Sequence, residues 1–246
     1  MDGPGRSRRW ALRRVLRDSV LRLRHPRDHV AYYRAVMQDT VAQGAARAVG
    51  NSDRKAWREG GQRQFDYLRS HGLRPDSRLL EIGCGNLRAG WLLIDYLEPG
   101  GYYGIDISPA VLLAAEETVV RMGLTAKLPY LVLVDDLTFD LLPDAHFDVV
   151  HANSVFSHSP IGVIEQALSH VGRVLKPDGH FDFTFNRTER RERNVLREDF
   201  YYRTETLVNL ARRCGLDAEF MTDWEDLRPR QSKLRVRVPA QADRAG

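Results

Sequence analysis

Past residue 75 the chain alternates short apolar runs with amphipathic stretches, which predicts strands at about 78–83, 101–107, 130–134, 147–152 and 180–185. Helices are expected between them, starting near Leu87, Pro109 and Ile161, the middle one closed by Gly123 as a left-handed cap. Beyond an arginine-rich segment, Thr204–Arg213 reads as a further helix capped by Gly215, and residues 218–221 and 234–238 read as two closing strands. Alternation of this kind builds a mostly parallel sheet with helices on both faces, so the expected fold class is a doubly wound α/β sheet.

Before residue 75 three stretches follow a helical period. Between Trp10 and Arg24, Leu12, Val15, Leu16, Val20 and Leu23 recur at helical spacing, Arg13, Arg14, Arg17, Arg22 and Arg24 fill much of the rest, and the run ends near Pro26. Val30, Tyr33, Met37 and Val41 predict a second helix, and Phe65 and Leu68 a third that stops near Gly72 and Pro75. The expected division is a basic amphipathic arm (1–28), a helical preface packed on the body (29–75) and the body itself (76–246).

Charge sharpens the view of the arm. The chain carries +4 overall, whereas residues 1–28 hold nine Arg and three Asp, +6, which leaves −2 for the remainder. The body therefore offers no general cationic surface, and nucleic acid is an unlikely partner for it. The arm suits an anionic membrane surface or an acidic partner, or else its apolar stripe packs on the body. Cys84 and Cys214 lack the spacing of a metal knuckle or a disulfide framework. No apolar run approaches the roughly 20 residues that span a bilayer, and no signal-peptide pattern opens the chain. The expectation is a soluble, cytoplasmic protein, with peripheral membrane contact through residues 1–28 as the alternative.

In Leu79-Leu80-Glu81-Ile82-Gly83-Cys84-Gly85-Asn86-Leu87-Arg88 an apolar strand runs into closely spaced glycines and then a helix. Such glycines permit positive φ and let backbone lie against a ligand. A dinucleotide fingerprint would place glycine at position 88, where this chain has Arg, so a pyrophosphate fits poorly. Glu81 is a charge at a buried strand end and needs a partner, either an ammonium or a structured turn. Asp106 closes Tyr102-Tyr103-Gly104-Ile105-Asp106 about 20 residues beyond the loop, the separation that lets an acid accept from ribose hydroxyls. Its bland alternative is a helix cap, for which Ser108 is better placed. Asp135 and Asp136 follow the third strand.

These segments resemble the class I S-adenosylmethionine-dependent methyltransferases, and more narrowly a bacterial set with a Gly-Cys-Gly-Ser-Leu-Arg loop and a Tyr-Tyr-Gly-Ile-Asp strand. Phe147-Asp148-Val149-Val150, Ser154-Val155-Phe156-Ser157-His158 and Val174-Leu175-Lys176-Pro177-Asp178-Gly179 extend the resemblance, which runs from about Gly60 to Val238. It implies a Rossmann-like class I fold with an N-terminal helical extension, and S-adenosylmethionine as cofactor. It also implies that Gly83 and Gly85 meet the methionyl part, Asp106 the ribose and Asp136, rather than Asp135, the adenine. Glu81, Cys84, Ile107, Leu137 and Asn153 complete the expected cofactor surround. Leu87 stands where the family often has a third glycine.

The activity so implied is methyl transfer by in-line displacement to a small-molecule acceptor, with oxygen as the expected atom. His158, after the fourth strand, is the candidate base, whereas His151 reads as a core residue. No metal is expected: His151-Ala152-Asn153 stands where catechol-type enzymes place carboxylates. The absence of an Asn-Pro-Pro-Tyr or Asp-Pro-Pro-Tyr segment counts against methylation of nucleic-acid bases. Rival readings are a methyltransferase for RNA or protein recruited by the arm, and a non-catalytic or nicotinamide-dependent Rossmann protein. Tyr201, Tyr202 and the arginines between Arg187 and Arg197 read as a solvated run or as contacts to an anionic acceptor.

Overall fold

The computed structural model is described for residues 4–42, 54–226 and 231–240. Three helices, α1 (Pro4–Arg24), α2 (His29–Ala42) and α3 (Arg54–Ser70), precede the sheet. The alternating segment follows as β1 (Leu79–Ile82), α4 (Gly90–Tyr96), β2 (Tyr102–Asp106), α5 (Pro109–Arg121), β3 (Tyr130–Leu133), β4 (Phe147–Ala152), α6 (Ile161–Val174) and β5 (Leu175–Arg187). A hairpin of β6 (Arg193–Val195) and β7 (Asp199–Tyr202) comes next, then α7 (Thr204–Arg213), β8 (Asp217–Phe220), α8 (Thr222–Asp226) and β9 (Ser232–Arg237).

The strands lie in the order β3-β2-β1-β4-β5, all parallel, and β9 pairs antiparallel with β5 and with β8. The doubly wound, mostly parallel α/β sheet expected from the pattern is therefore present. Alternate residues feed two cores. Leu80, Ile82, Val150 and Phe183 face α6 and α7, whereas Leu79, Tyr102 and Val149 face α3, α4 and α5. Parallel strands buried on both sides have few places for polar groups, which makes Glu81 on the second face conspicuous.

Four expectations change. The first sheet helix starts at Gly90 rather than near Leu87, because Leu87 takes a left-handed φ of 63° and prolongs the glycine loop by a turn. The fifth strand begins at Leu175, directly after α6, and its extra residues bulge opposite Phe147 and Val149. The arginine-rich segment is not simply a solvated run but folds into the β6–β7 hairpin, with β7 pairing to the end of β5 at Asn186 and Arg187. The arm, whose first three residues and Trp10 side chain lie outside the described set, docks by its polar face: Leu12, Val15, Leu16, Val20 and Leu23 point outward, and only Leu21 is buried among the apolar residues from Leu12 to Leu23.

Candidate active site

The loop after β1 carries three left-handed residues, Gly83 (φ 65°), Gly85 (φ 59°) and Leu87 (φ 63°). The amides of Gly83 and Cys84 donate to the Ile105 carbonyl at 2.8 and 3.1 Å, tying the loop to the end of β2. A Cβ on Gly83 would lie 2.5 Å from Cγ2 of Val155, so the loop and the segment after β4 meet through bare backbone. Cys84 turns its thiol inward. A Cβ on Gly104 would come within 3.0 Å of both its Cβ and Sγ, so the glycine of Tyr-Tyr-Gly-Ile-Asp is the seat of the cysteine in Gly-Cys-Gly. Burial pushes that thiol well above its ordinary pKa. Cys84 thus faces the core with its side chain and lends the loop its backbone.

Asp106, at the tip of β2, is buried and accepts from the amides of Gly85 (3.1 Å) and Ser108 (2.9 Å). Burial raises its pKa, and these amides together with that of Ile107 oppose the rise. A carboxylate has about four lone-pair sites, so three amides leave room for another donor. Ser108 does occupy the helix N-cap, yet its hydroxyl is unpartnered and makes no cap bond. The carboxylate of Asp106, not the hydroxyl of Ser108, ties down this turn.

Glu81 finds its partner within the protein. The Tyr102 hydroxyl donates to it at 2.6 Å; burial raises the acid to about 7, with Tyr102 and the charge of Arg88 opposing. It sits beneath the loop and supports it. Trp57 of α3 adds a clasp from above, donating to Asn86 at 3.1 Å.

Toward β3, Asp135 pairs with Arg34 of α2, whose guanidinium also donates to the Ile107 carbonyl at 2.7 Å. Asp136 is exposed and accepts from the Thr138 amide and hydroxyl at 3.1 and 2.8 Å. Leu137 is buried, its amide donating to Gln166 at 3.0 Å. After β4, Asn153 donates to the hydroxyl of Ser154 at 3.2 Å, and Ser154 holds a φ of 62°.

His158 lies on the 3-10 turn Phe156–His158, where β4 leads into α6. Its Nδ1 is 2.6 Å from the Glu198 carbonyl and 3.3 Å from a carboxylate oxygen of Asp199. A carbonyl can only accept, so Nδ1 carries the proton and Nε2 keeps the basic lone pair. Tyr33 of α2 stacks on the ring with centroids 5.5 Å apart, and His29 of α2 donates from Nε2 to the His158 carbonyl at 2.9 Å. Burial raises the Tyr33 hydroxyl, and the charges of Asp199, Glu198 and Asp106 add to the effect. Tyr33 thus bridges the electrostatic surroundings of Asp106 and His158. His151 is fully buried, as expected of a core histidine, and burial holds it near 3.

Sequence reasoning missed Tyr33, Arg34, Glu198 and Asp199. Tyr33 was legible only as an apolar helix position. The Asp199-Phe200-Tyr201-Tyr202 run was a strand signal masked by the neighbouring arginines.

Residues 80–181 match the family model of a methyltransferase domain. Among solved structures, magnesium protoporphyrin IX methyltransferase (ChlM) from Synechocystis PCC 6803 with bound SAH superposes with a TM-score of 0.64 at 15% identity, over 85% of this chain and 99% of that one. The DhpI–SAH complex gives 0.57 at 16% identity, over 87% and 97%. The cyclase SpnF gives 0.59 at 19% identity, over 78% and 86%. The structural likenesses establish the class I methyltransferase fold, and the domain match marks the chain as an enzyme of the methyltransferase type. The domain match and the two neighbours solved with SAH point to S-adenosylmethionine as the cofactor. The loop fits that donor: left-handed residues at the alternate positions 83, 85 and 87 bare the backbone beside a buried carboxylate that has acceptor capacity to spare.

Proposed function

We propose that the protein moves the methyl group of S-adenosylmethionine to an oxygen atom of a small-molecule acceptor, with His158 as the base. The observation that carries this reading is the fixed tautomer of His158, set by the Glu198 carbonyl with Asp199 alongside.

When bound, the cofactor supplies an electrophilic methyl on a positively charged sulfur that leaves as a neutral thioether. Gly83, Gly85 and the Cys84 backbone would hold its amino-acid end, Asp106 its ribose, and Ile107, Leu137 and Asp136 its adenine; Glu81 supports the loop from below, and Asn153 lines the approach after β4. His158 Nε2 takes the proton of the acceptor hydroxyl as the oxygen becomes a nucleophile. The imidazolium so formed is balanced by Asp199, which hydrogen bonds from His158 and Arg14 keep below the usual carboxylate range against the opposing effect of burial. Tyr33 and the α2 wall exclude water, so alignment of the reacting atoms accounts for most of the rate.

The RNA-or-protein alternative has less support, because Arg14 and Arg17 of the arm are committed inward to Glu198, Asp199 and Asp39. A nicotinamide cofactor is disfavoured by Arg88, which stands where a dinucleotide fingerprint places its third glycine. The test has two parts. Calorimetry should give saturable S-adenosylhomocysteine binding that Asp106→Ala greatly weakens. Labelled S-adenosylmethionine with fractionated extract should then deliver label to a small metabolite as an alkali-stable methyl ether or an alkali-labile ester; label in RNA or protein would overturn the acceptor class.

A further inference from the structure

An amphipathic helix on a water-soluble protein ordinarily buries its apolar stripe and wets its polar face. α1 does the reverse. Arg14 donates to Glu198 and Asp199, Arg17 to Asp39 and Glu198, and buried Asp18 accepts from the Tyr32 hydroxyl at 2.5 Å and the Arg197 amide at 3.2 Å. These contacts fix the rotation of the helix. At about 100° per residue, Leu12, Val15, Leu16, Val20 and Leu23 then share the opposite arc, and they are 61%, 47%, 59%, 47% and 85% exposed. A scattered exposed leucine needs no explanation, but five large apolar side chains on one helix face mark an interaction surface.

The flanks name the partner. Arg13 and Arg24 lie exposed along one edge of the stripe and Arg22 along the other, where its Nε pairs at 2.7 Å with Asp18, the one acid of α1, which is buried on the docked side. An apolar ridge bordered by guanidinium groups and free of exposed carboxylates is complementary to anionic headgroups above acyl chains. A second copy would place the same arginine rims against each other. Among the described residues no helix is long and apolar enough to cross a membrane, so this contact lies in the interface plane.

We propose that α1 docks the protein on the surface of an anionic lipid bilayer through Leu12, Val15, Leu16, Val20 and Leu23, with Arg13 and Arg24 on the headgroups. The contact is peripheral and reversible, and it leaves the charge network beneath α1 intact.

Co-sedimentation of the full chain with vesicles of phosphatidylcholine, with and without phosphatidylglycerol, tests this directly. Binding is expected to the mixed vesicles only and to weaken as salt is raised. The variant Leu12→Gln/Leu16→Gln/Leu23→Gln should lose at least about tenfold in partitioning, with unchanged circular dichroism and melting temperature because these side chains already face water. Arg13→Gln/Arg24→Gln should lose the preference for phosphatidylglycerol. Equal pelleting of wild type and the leucine variant, or no pelleting at all, would overturn the proposal. So would a dimer in analytical ultracentrifugation that the leucine variant dissolves without any vesicle binding, which would assign the stripe to a second copy.

Discussion

The hydroxyl of Tyr102 on β2 donates a 2.6 Å hydrogen bond to the carboxyl of Glu81 on β1, beneath the glycine loop. Burial raises Glu81 to about 7 from an ordinary 4.5. An acid whose folded pKa is raised contributes stability that is whole below its unfolded pKa and is lost as pH climbs through the folded one. Wild-type stability should therefore fall between about pH 5 and about pH 8 by an amount on the order of 3 kcal/mol. Glu81→Gln should flatten that decline in urea titrations across the same range. Tyr102→Phe should cost about 1–3 kcal/mol by leaving the buried carboxyl short of a donor. An identical slope in the Gln variant would reject the assignment.

Gly104 and Cys84 form one packing unit. A methyl at 104 would sit 3.0 Å from the Cβ and Sγ of Cys84 and from Cδ2 of Leu131, all in a close-packed layer. Gly104→Ala should destabilise by about 1–3 kcal/mol and lift the loop, weakening S-adenosylhomocysteine binding. The double variant Gly104→Ala/Cys84→Ala should recover part of both losses, which a double-mutant cycle reads as a coupling energy. Strict additivity would separate the two residues.

Leu87 sets backbone strain against burial. Its φ of 63° costs on the order of 1 kcal/mol relative to glycine. Its side chain is wholly buried, which contributes roughly 2–3 kcal/mol, and its loss would leave a cavity as well. Burial is the larger effect. Leu87→Gly should therefore lower stability in chemical denaturation despite restoring the glycine common at this place in the resembled family.

The order of elements was readable because strand and helix periods survive locally: β1, β2 and β4 fall within about two residues of their expected limits. The cofactor loop was readable because glycine spacing reports directly on positive φ. Leu87 escaped because a left-handed leucine leaves no such mark in the sequence. The rotation of α1 escaped for another reason: amphipathicity reveals that two faces differ, not which one the body binds. Only the tertiary pairing of Arg14 and Arg17 with Glu198 decides it. His158 was legible as a histidine after the fourth strand, but Asp199 and Tyr33, distant in sequence, become its neighbours only on folding.

His158 and Asp199 should separate in kinetics. His158→Ala removes the base and should lower kcat by about 10²–10⁴ while cofactor affinity holds. Asp199→Asn keeps a polar side chain near Nδ1 but removes the charge that balances an imidazolium. Its kcat should fall by roughly tenfold or more with little change in the cofactor's KM. Because Asp199 also pairs with Arg14, Arg17→Gln, which breaks the ion pairs of α1 with Glu198 and Asp39 but not the Asp199 pair, serves as a control for lost docking: a fall in stability with a much smaller loss of kcat than in Asp199→Asn is expected. If His158→Ala turned over at the wild-type rate, the base would have to be sought elsewhere.

Arg34 joins α2 to the far end of the cofactor cleft, donating to the Ile107 carbonyl at 2.7 Å and pairing with Asp135. The carbonyl bond is charge-assisted, and the partly exposed ion pair adds little by itself. Together they hold α2 against the ends of β2 and β3, and with it Tyr33 against His158. Arg34→Ala should therefore raise the dissociation constant of S-adenosylhomocysteine several-fold and speed amide exchange across 29–42. It should also lower kcat, because Tyr33 moves with the helix. Arg34→Lys keeps the charge but not the guanidinium fork, so it should recover only part of the affinity. Faster exchange without loss of affinity would make α2 a cover for the acceptor alone.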